Sequence, residues 1–217
     1  MLVLLITSYL LSAFSSSRWI NDLQVALFTL AGLLAMRNSP LHGRTARLVV
    51  AAGFVISLLV IAIADHQGGL TGQGAASIWS GVLLLLIVVT LLRQILGAPQ
   101  VTMQSIYAAI SAYLIIGLMF SAIYAAMYYL NSRQFFVQGS PGNVRSDFQY
   151  FSFTTLTTLG YGDFTAARSG GRAVAMLEAM TGQIFLATLV AKLVASFRPT
   201  AASGNSADGD ANGDERV

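Results

Sequence analysis

The sequence predicts an all-helical integral membrane protein with six transmembrane helices, and three observations carry that expectation. Hydrophobic residues make up 55% of the 217-residue chain and charged residues only 10%, against about 25% charged in a soluble domain. Apolar runs long enough to cross a bilayer core of ~30 Å recur as far as Phe197. Between them lie short polar or glycine-rich breaks, and the arginines stand singly in those breaks. The net charge of +3 comes without a basic cluster or stacking platform, which argues against nucleic acid as a partner. The absence of cysteine excludes disulfides. No nucleophile–base pair or metal-ligand spacing points to an enzyme.

Met1–Phe14 is apolar and runs into Ser15-Ser16-Ser17. At ~1.5 Å per residue this stretch reaches roughly 26 Å, a short first span. A signal peptide would want a basic start, which is lacking; a start codon assigned too late would also explain the shortness. Trp19–Met36 and Leu48–Ala64 are the second and third spans. Asp65–Ser77 reads as a loop, and Ile78–Leu96 as the fourth span, closed by Gly97-Ala98-Pro99. Residues 1–98 thus form a four-helix transmembrane domain. Thr102–Leu130 is a long fifth helix, Arg172–Phe197 the sixth, and Pro199–Val217 an acidic tail whose Ala, Gly, Ser, Asn and Asp predict disorder.

Positive charge orients the chain. Arg37, Arg44, Arg47, Arg93, Lys192 and Arg198 fall on one side of the six-span arrangement, and among the short loops opposite them only Arg18 stands. Both termini are therefore expected in the cytoplasm, with Trp19 and Trp79 at the outer interface. Voltage sensing needs arginines at every third position of the fourth helix, and that helix carries only Arg93, better read as an interfacial residue. Gly68–Gly74 loosely suggests a phosphate cradle but has no lysine and follows no strand, so it reads as a flexible loop. Asp65, His66 and His42 read as polar loop residues.

Between the fifth and sixth helices stands Asp147–Asp163, DFQYFSFTTLTTLGYGD. Its core, Thr157-Thr158-Leu159-Gly160-Tyr161-Gly162-Asp163, resembles the selectivity filter of the potassium-channel pore-loop superfamily. The resemblance over Thr102–Phe197 is to the two-helix pore module; over residues 1–96 it is only topological, four spans before a pore. Small bacterial six-span channels without a cytoplasmic regulatory domain match best, so gating is expected to reside in the membrane part. The resemblance implies a pore domain at 99–198. It comprises an outer helix 102–130, a re-entrant pore helix 147–157, a filter 158–162 and an inner helix 172–197. It also implies K+ as the permeant ion, coordinated at Thr158, Leu159, Gly160 and Tyr161, with Gly162 completing the strip, and no further cofactor.

The residue types fit that reading. A dehydrated ion needs successive carbonyls turned the same way, which calls for left-handed backbone, and Gly160 and Gly162 supply it at alternate positions. Leu159 and Tyr161 are then expected to point away from the axis and pack behind the strip, and Thr158 to add its hydroxyl. One strip per chain and a four-fold ring imply a homotetramer in the lipid of the cell membrane. Ser146 or Asp147 is the expected cap of the pore helix, Ser146 and Gln149 having capping-box spacing. The helix's C-terminus near Thr157 would favour a cation. Tyr150, Phe151, Thr154, Thr155, Thr157 and Asp163 are candidate filter supports. Leu159 stands where the family more often has valine or isoleucine. Phe151 replaces a frequent tryptophan, and Thr154 replaces a carboxylate found in some relatives. These changes bear on the filter's rigidity and inactivation.

In the sixth helix, Gly182 lies at the family's hinge distance from Asp163; close helix packing is the other reading of a mid-helix glycine. Gln183, Leu186, Val190 and Val194 follow helical spacing below it and are candidate cavity residues. Glu178 is the one acidic residue well inside a span and so a functional candidate. It shares a face with Gly182 and is expected behind the pore helix. There it is either satisfied by the hydroxyls of Thr154 and Thr155 or braces the filter, coupling it to pH. The expected function is passive K+ conduction without an S4-type sensor; a non-conducting scaffold or partner subunit with a channel fold is the alternative.

Overall fold

The computed structural model describes residues 70–97, 102–131 and 134–196. The first three expected spans, the loop at 37–47 and the tail lie outside them. Among the described residues the chain is all helical and without strands, in four helices: α1 (Leu70–Gly97), α2 (Met103–Leu130), α3 (Val144–Leu156) and α4 (Ser169–Ser196). Three of these, α1, α2 and α4, are long and apolar enough to cross a membrane.

α1 begins well before the expected Ile78. The glycine-rich 70–77 is helical, not a loop, and packing explains the difference. α1 runs antiparallel to α2, and a Cβ on Gly74 would meet Leu130 and Tyr129 at 3.4 Å. Glycine there permits close approach, and the contact outweighs its poor helix propensity, about 1 kcal/mol relative to alanine. Leu84, Val88, Leu91 and Ile95, spaced by three and four, are the buried stripe of α1.

α2 starts one residue later than expected because Thr102 is its cap. Thr102 Oγ1 accepts from the Ser105 amide at 3.3 Å, and Ser105 Oγ accepts from the Thr102 amide at 3.5 Å, a reciprocal capping box. α3 runs 144–156, not 147–157, because Asn143 is the cap. Its Oδ1 accepts from the amides of Arg145 and Ser146, while the Asp147 carboxylate accepts from the Asn143 amide at 3.1 Å. Neither Ser146 nor Asp147 caps the helix. α4 starts at Ser169, three residues early. Arg172 then donates back to the carbonyls of Ala166 and Ala167.

The segments flanking α3 are tied to one another. The Val137 amide donates to the Thr165 carbonyl and the Ala167 amide to the Phe135 carbonyl, at 2.9 and 2.8 Å. Over this staple lies an aromatic cluster. Phe136 stacks on Phe148 with centroids 4.9 Å apart, Phe151 meets Tyr124 edge-on at 5.0 Å, and Phe164 lies 4.7 Å from Phe136. Such pairs add to the burial of large apolar surfaces. At the opposite end of the molecule the Lys192 ammonium donates to the Ile95 carbonyl, tying α4 to the end of α1.

Candidate functional site

The C-terminal end of α3 is where the segment 157–163 is fixed. The last carbonyls of a helix have no partners within it, and here each is taken by a specific donor. Phe153 O accepts from the Thr157 amide and hydroxyl, and Thr155 O from the Thr158 amide. Thr154 O accepts from both Leu159 and Gly160 amides, at 2.8 and 3.1 Å. Leu156 O accepts from the Tyr113 hydroxyl of α2 at 3.2 Å. The strip therefore folds directly onto the helix end.

Beyond that anchor the backbone is unusual. φ is +59° at Thr158, +53° at Gly160 and +83° at Gly162, so alternate residues are left-handed. Two are glycines. The third is a β-branched threonine, whose left-handed conformation costs about 1–2 kcal/mol and was not foreseen from the sequence. Left-handed residues alternating with ordinary ones turn successive carbonyls to one side. Thr157 to Asp163 are all exposed in the single chain, Leu159 at 55% and Tyr161 at 68%. A Cβ on Gly160 or Gly162 would touch nothing within 4 Å, so these glycines answer to φ and not to crowding.

Behind the strip, Tyr150 is nearly parallel to Tyr161, with centroids 6.4 Å apart. Hydrogen bonding to Asp163 is the first cause that pushes the Tyr150 phenol up to about 12, so it remains a proton donor through neutral pH. Phe151 is buried in the aromatic cluster against Tyr124, Phe135 and Phe136. Thr154 Oγ1 bonds the Phe151 carbonyl at 3.0 Å, and Thr155 lines a cavity with Phe164 and Arg172.

Glu178 is fully buried, but its partners are not Thr154 and Thr155. It receives the Tyr124 hydroxyl at 2.5 Å and lies in hydrogen-bond contact with Ser152. Ser152 and Tyr124 were missed by the sequence reading. Their signal was weak, a serine among phenylalanines and a tyrosine in an apolar helix. Ser152 sits one turn before Leu156 on the face of α3 turned to α2 and α4, whereas at about 3.6 residues per turn Thr154 falls on the opposite side of the helix and Thr155 to one side of that face.

Gly182 is buried as well, and a Cβ there would lie 2.4 Å from the Leu156 carbonyl oxygen. Close packing of α4 on the end of α3 therefore requires glycine at this position. Gln183, Leu186, Val190 and Val194 are all exposed in the single chain.

A family model described as "Ion channel" matches residues 109–198, which take in most of α2, all of α3 and α4, and the strip between them. Over these residues the chain is similar to that ion-channel family, and three of its described helices are long and apolar enough to cross a membrane. No curated protein and no solved structure matches the chain.

Proposed function

We propose that the chain is one subunit of a homotetrameric, potassium-selective channel that passes K+ passively across the cell membrane. The observation that carries this reading is the left-handed backbone at Thr158, Gly160 and Gly162 within an exposed TTLGYGD strip fixed to the end of α3. Carbonyls so turned replace the hydration shell of a permeating ion, and the Thr158 hydroxyl adds an oxygen at the inner end. K+ is thus a transported ion, not a cofactor, and no enzymatic step enters. One chain supplies one strip, and the exposed apolar residues of α4 are the surface that symmetry mates would cover. In the assembly α3 is a re-entrant helix. Irregular backbone at membrane depth is tolerated where it lines an aqueous path.

Gln183, Leu186, Val190 and Val194 line the cavity below the filter, and Gly182 is both the packing point against Leu156 and the hinge. The described chain then supplies the last three of six spans, with Arg93 and Lys192 on the cytoplasmic side and both termini there. Arg93 is the one charged residue of α1, so the reading includes no S4-type voltage sensor. The test is flux from potassium-loaded liposomes containing the purified protein. Selective K+ efflux supports the reading. Absence of flux from a folded tetramer ends it in favour of a non-conducting scaffold, and equal Na+ flux refutes the selectivity.

A further inference from the structure

We propose that Glu178 is a neutral, proton-donating acid that locks α2, α3 and α4 together behind the strip, and that removing its proton releases α3. As a deepening of the channel reading, its effect on current rests on that reading; the protonation itself does not.

The inference comes from counting protons. Three short oxygen–oxygen contacts meet at this point. Tyr124 Oη lies 2.5 Å from Glu178 Oε2, Ser152 Oγ lies against Glu178 Oε1, and Ser152 Oγ lies 2.6 Å from the Gly117 carbonyl oxygen. Each contact needs one proton. A phenol and a hydroxyl bring one each, while a carbonyl and an ionised carboxylate bring none. With Glu178 ionised, Ser152 must choose between Gly117 O and Oε1, and one pair of lone-pair oxygens is left facing without a hydrogen. With the proton on Oε1, every contact is served. Oε1–H donates to Ser152 Oγ, Ser152 donates to Gly117 O, and Tyr124 donates to Oε2. Placing the proton on Oε2 would leave Ser152 in the same conflict.

The surroundings agree with that count. Glu178, Ser152 and Tyr124 are each 0% exposed, so bulk water cannot supply the missing donor, and a buried polar contact without its hydrogen is costly. Among the described residues, the titratable groups facing Glu178 are the phenols Tyr124 and Tyr113 of α2; from α3 it meets Ser152. The basic residues of α4 are engaged elsewhere, Arg172 on the carbonyls of Ala166 and Ala167 and Lys192 on that of Ile95. An ionised Glu178 would thus be a buried charge facing phenols instead of a cation.

The lock holds α3 at Ser152, two residues before Thr154, whose carbonyl anchors the Leu159 and Gly160 amides. Gly117 belongs to α2 and Glu178 to α4, so the single Ser152 hydroxyl joins α3 to both helices. Without the Glu178 proton it can hold only one of them, and the anchor of the strip loosens. Glu178 is a positioning residue: it acts on the ion path through α3.

Glutamate occurs at only two positions, Glu178 and Glu215, so glutamate carrying a carbon isotope in its carboxyl group reports on little else. The infrared spectrum of the labelled full-length chain in liposomes should show an isotope-shifted carboxylic-acid band at neutral pH. The band should persist in Glu215→Gln and vanish in Glu178→Gln. K+ flux should fall as rising pH removes the band, and Glu178→Gln, whose amide both donates and accepts, should conduct without that fall. No acid band at neutral pH overturns the proposal, in the unaltered protein as much as in variants. So does an alkaline fall of equal size in Glu178→Gln. If no flux occurs in any form, the channel reading fails, and the band still decides whether Glu178 holds the proton.

Discussion

α2 and α4 flank the same short helix, are each 28 residues long and are both apolar enough to span a membrane. Yet half of the most apolar stretch of α2 is buried, against 11% of that of α4. α2 has its partners within the chain: α1 on one side, α3 and the aromatic cluster on the other. α4 is held by Arg172, by Glu178 with Gly182, by Lys192 and by a few half-buried residues such as Phe185, but it presents many bare apolar residues, among them Met176, Met180, Ile184 and Val190. The difference teaches that the described chain covers the outer half of this module and leaves most of the inner half bare, which is the half that the proposed assembly would cover. The strip 158–162 lies on the incomplete side. It keeps its conformation by hanging from α3, whose other face is packed into the complete side.

The most damaging test of that comparison is Gly160→Ala. The added Cβ has room but no comfortable φ, at a cost of about 1–2 kcal/mol. The expected outcome is an assembled protein that has lost K+ selectivity or all current. Unchanged permeability of K+ over Na+ would show that the strip is not the filter. Next comes Gly182→Ala, which acts where the two halves join. Its Cβ would collide with the Leu156 backbone, an overpacking worth about 1–3 kcal/mol, and thermal unfolding of the assembled protein should report the loss. A variant as stable as the parent and with normal current would mean that α4 does not sit against α3 in the assembly.

A milder test uses cysteines in a chain that has none of its own. Cysteine at Gln183, Leu186, Val190 or Val194 should react with thiol reagents added from the cytoplasmic side and block current. Cysteine at Ile115 or Ile116, buried on α2, should stay unreactive. Equal reactivity on both helices would erase the contrast between them. The smallest effect is expected from Tyr150→Phe. It removes the phenol that Asp163 influences but keeps the ring beside Tyr161. Because Asp163 pushes the phenol up to about 12, the phenol keeps its proton throughout the neutral range. Phenylalanine should therefore change inactivation a few-fold at every neutral pH instead of introducing a pH dependence there. A pH-dependent difference between pH 6 and 9 would refute the assignment.

Much of the architecture was legible because its causes are local. Leu159 to Asp163 repeat a short pattern whose glycines have a conformational job, and α2 and α4 announce themselves through length and apolarity. The helix ends were read less well. Asn143, not Ser146, caps α3, its Oδ1 accepting from the Arg145 and Ser146 amides, and neighbouring polar residues are equally good caps by type. The start of α1 was misread for a related reason: glycine at 72 and 74 looks like a loop until α2 is placed beside it.

By itself the sequence pointed to an all-helical membrane protein and singled out the strip 158–162 as its candidate ion path, since periodic apolar runs and a glycine-alternating strip act within a few residues of themselves. Only the tertiary structure decided which polar groups meet inside. Glu178, Ser152, Tyr124 and Gly117 come from three helices and are separated by 26 to 54 residues in the hydrogen bonds that Glu178 forms with Ser152 and Tyr124. Spacing along the chain says nothing about such a meeting. Gly182 was in the same position: hinge and packing point read alike in sequence, and the Leu156 carbonyl lying where a Cβ would stand is a fact of three dimensions.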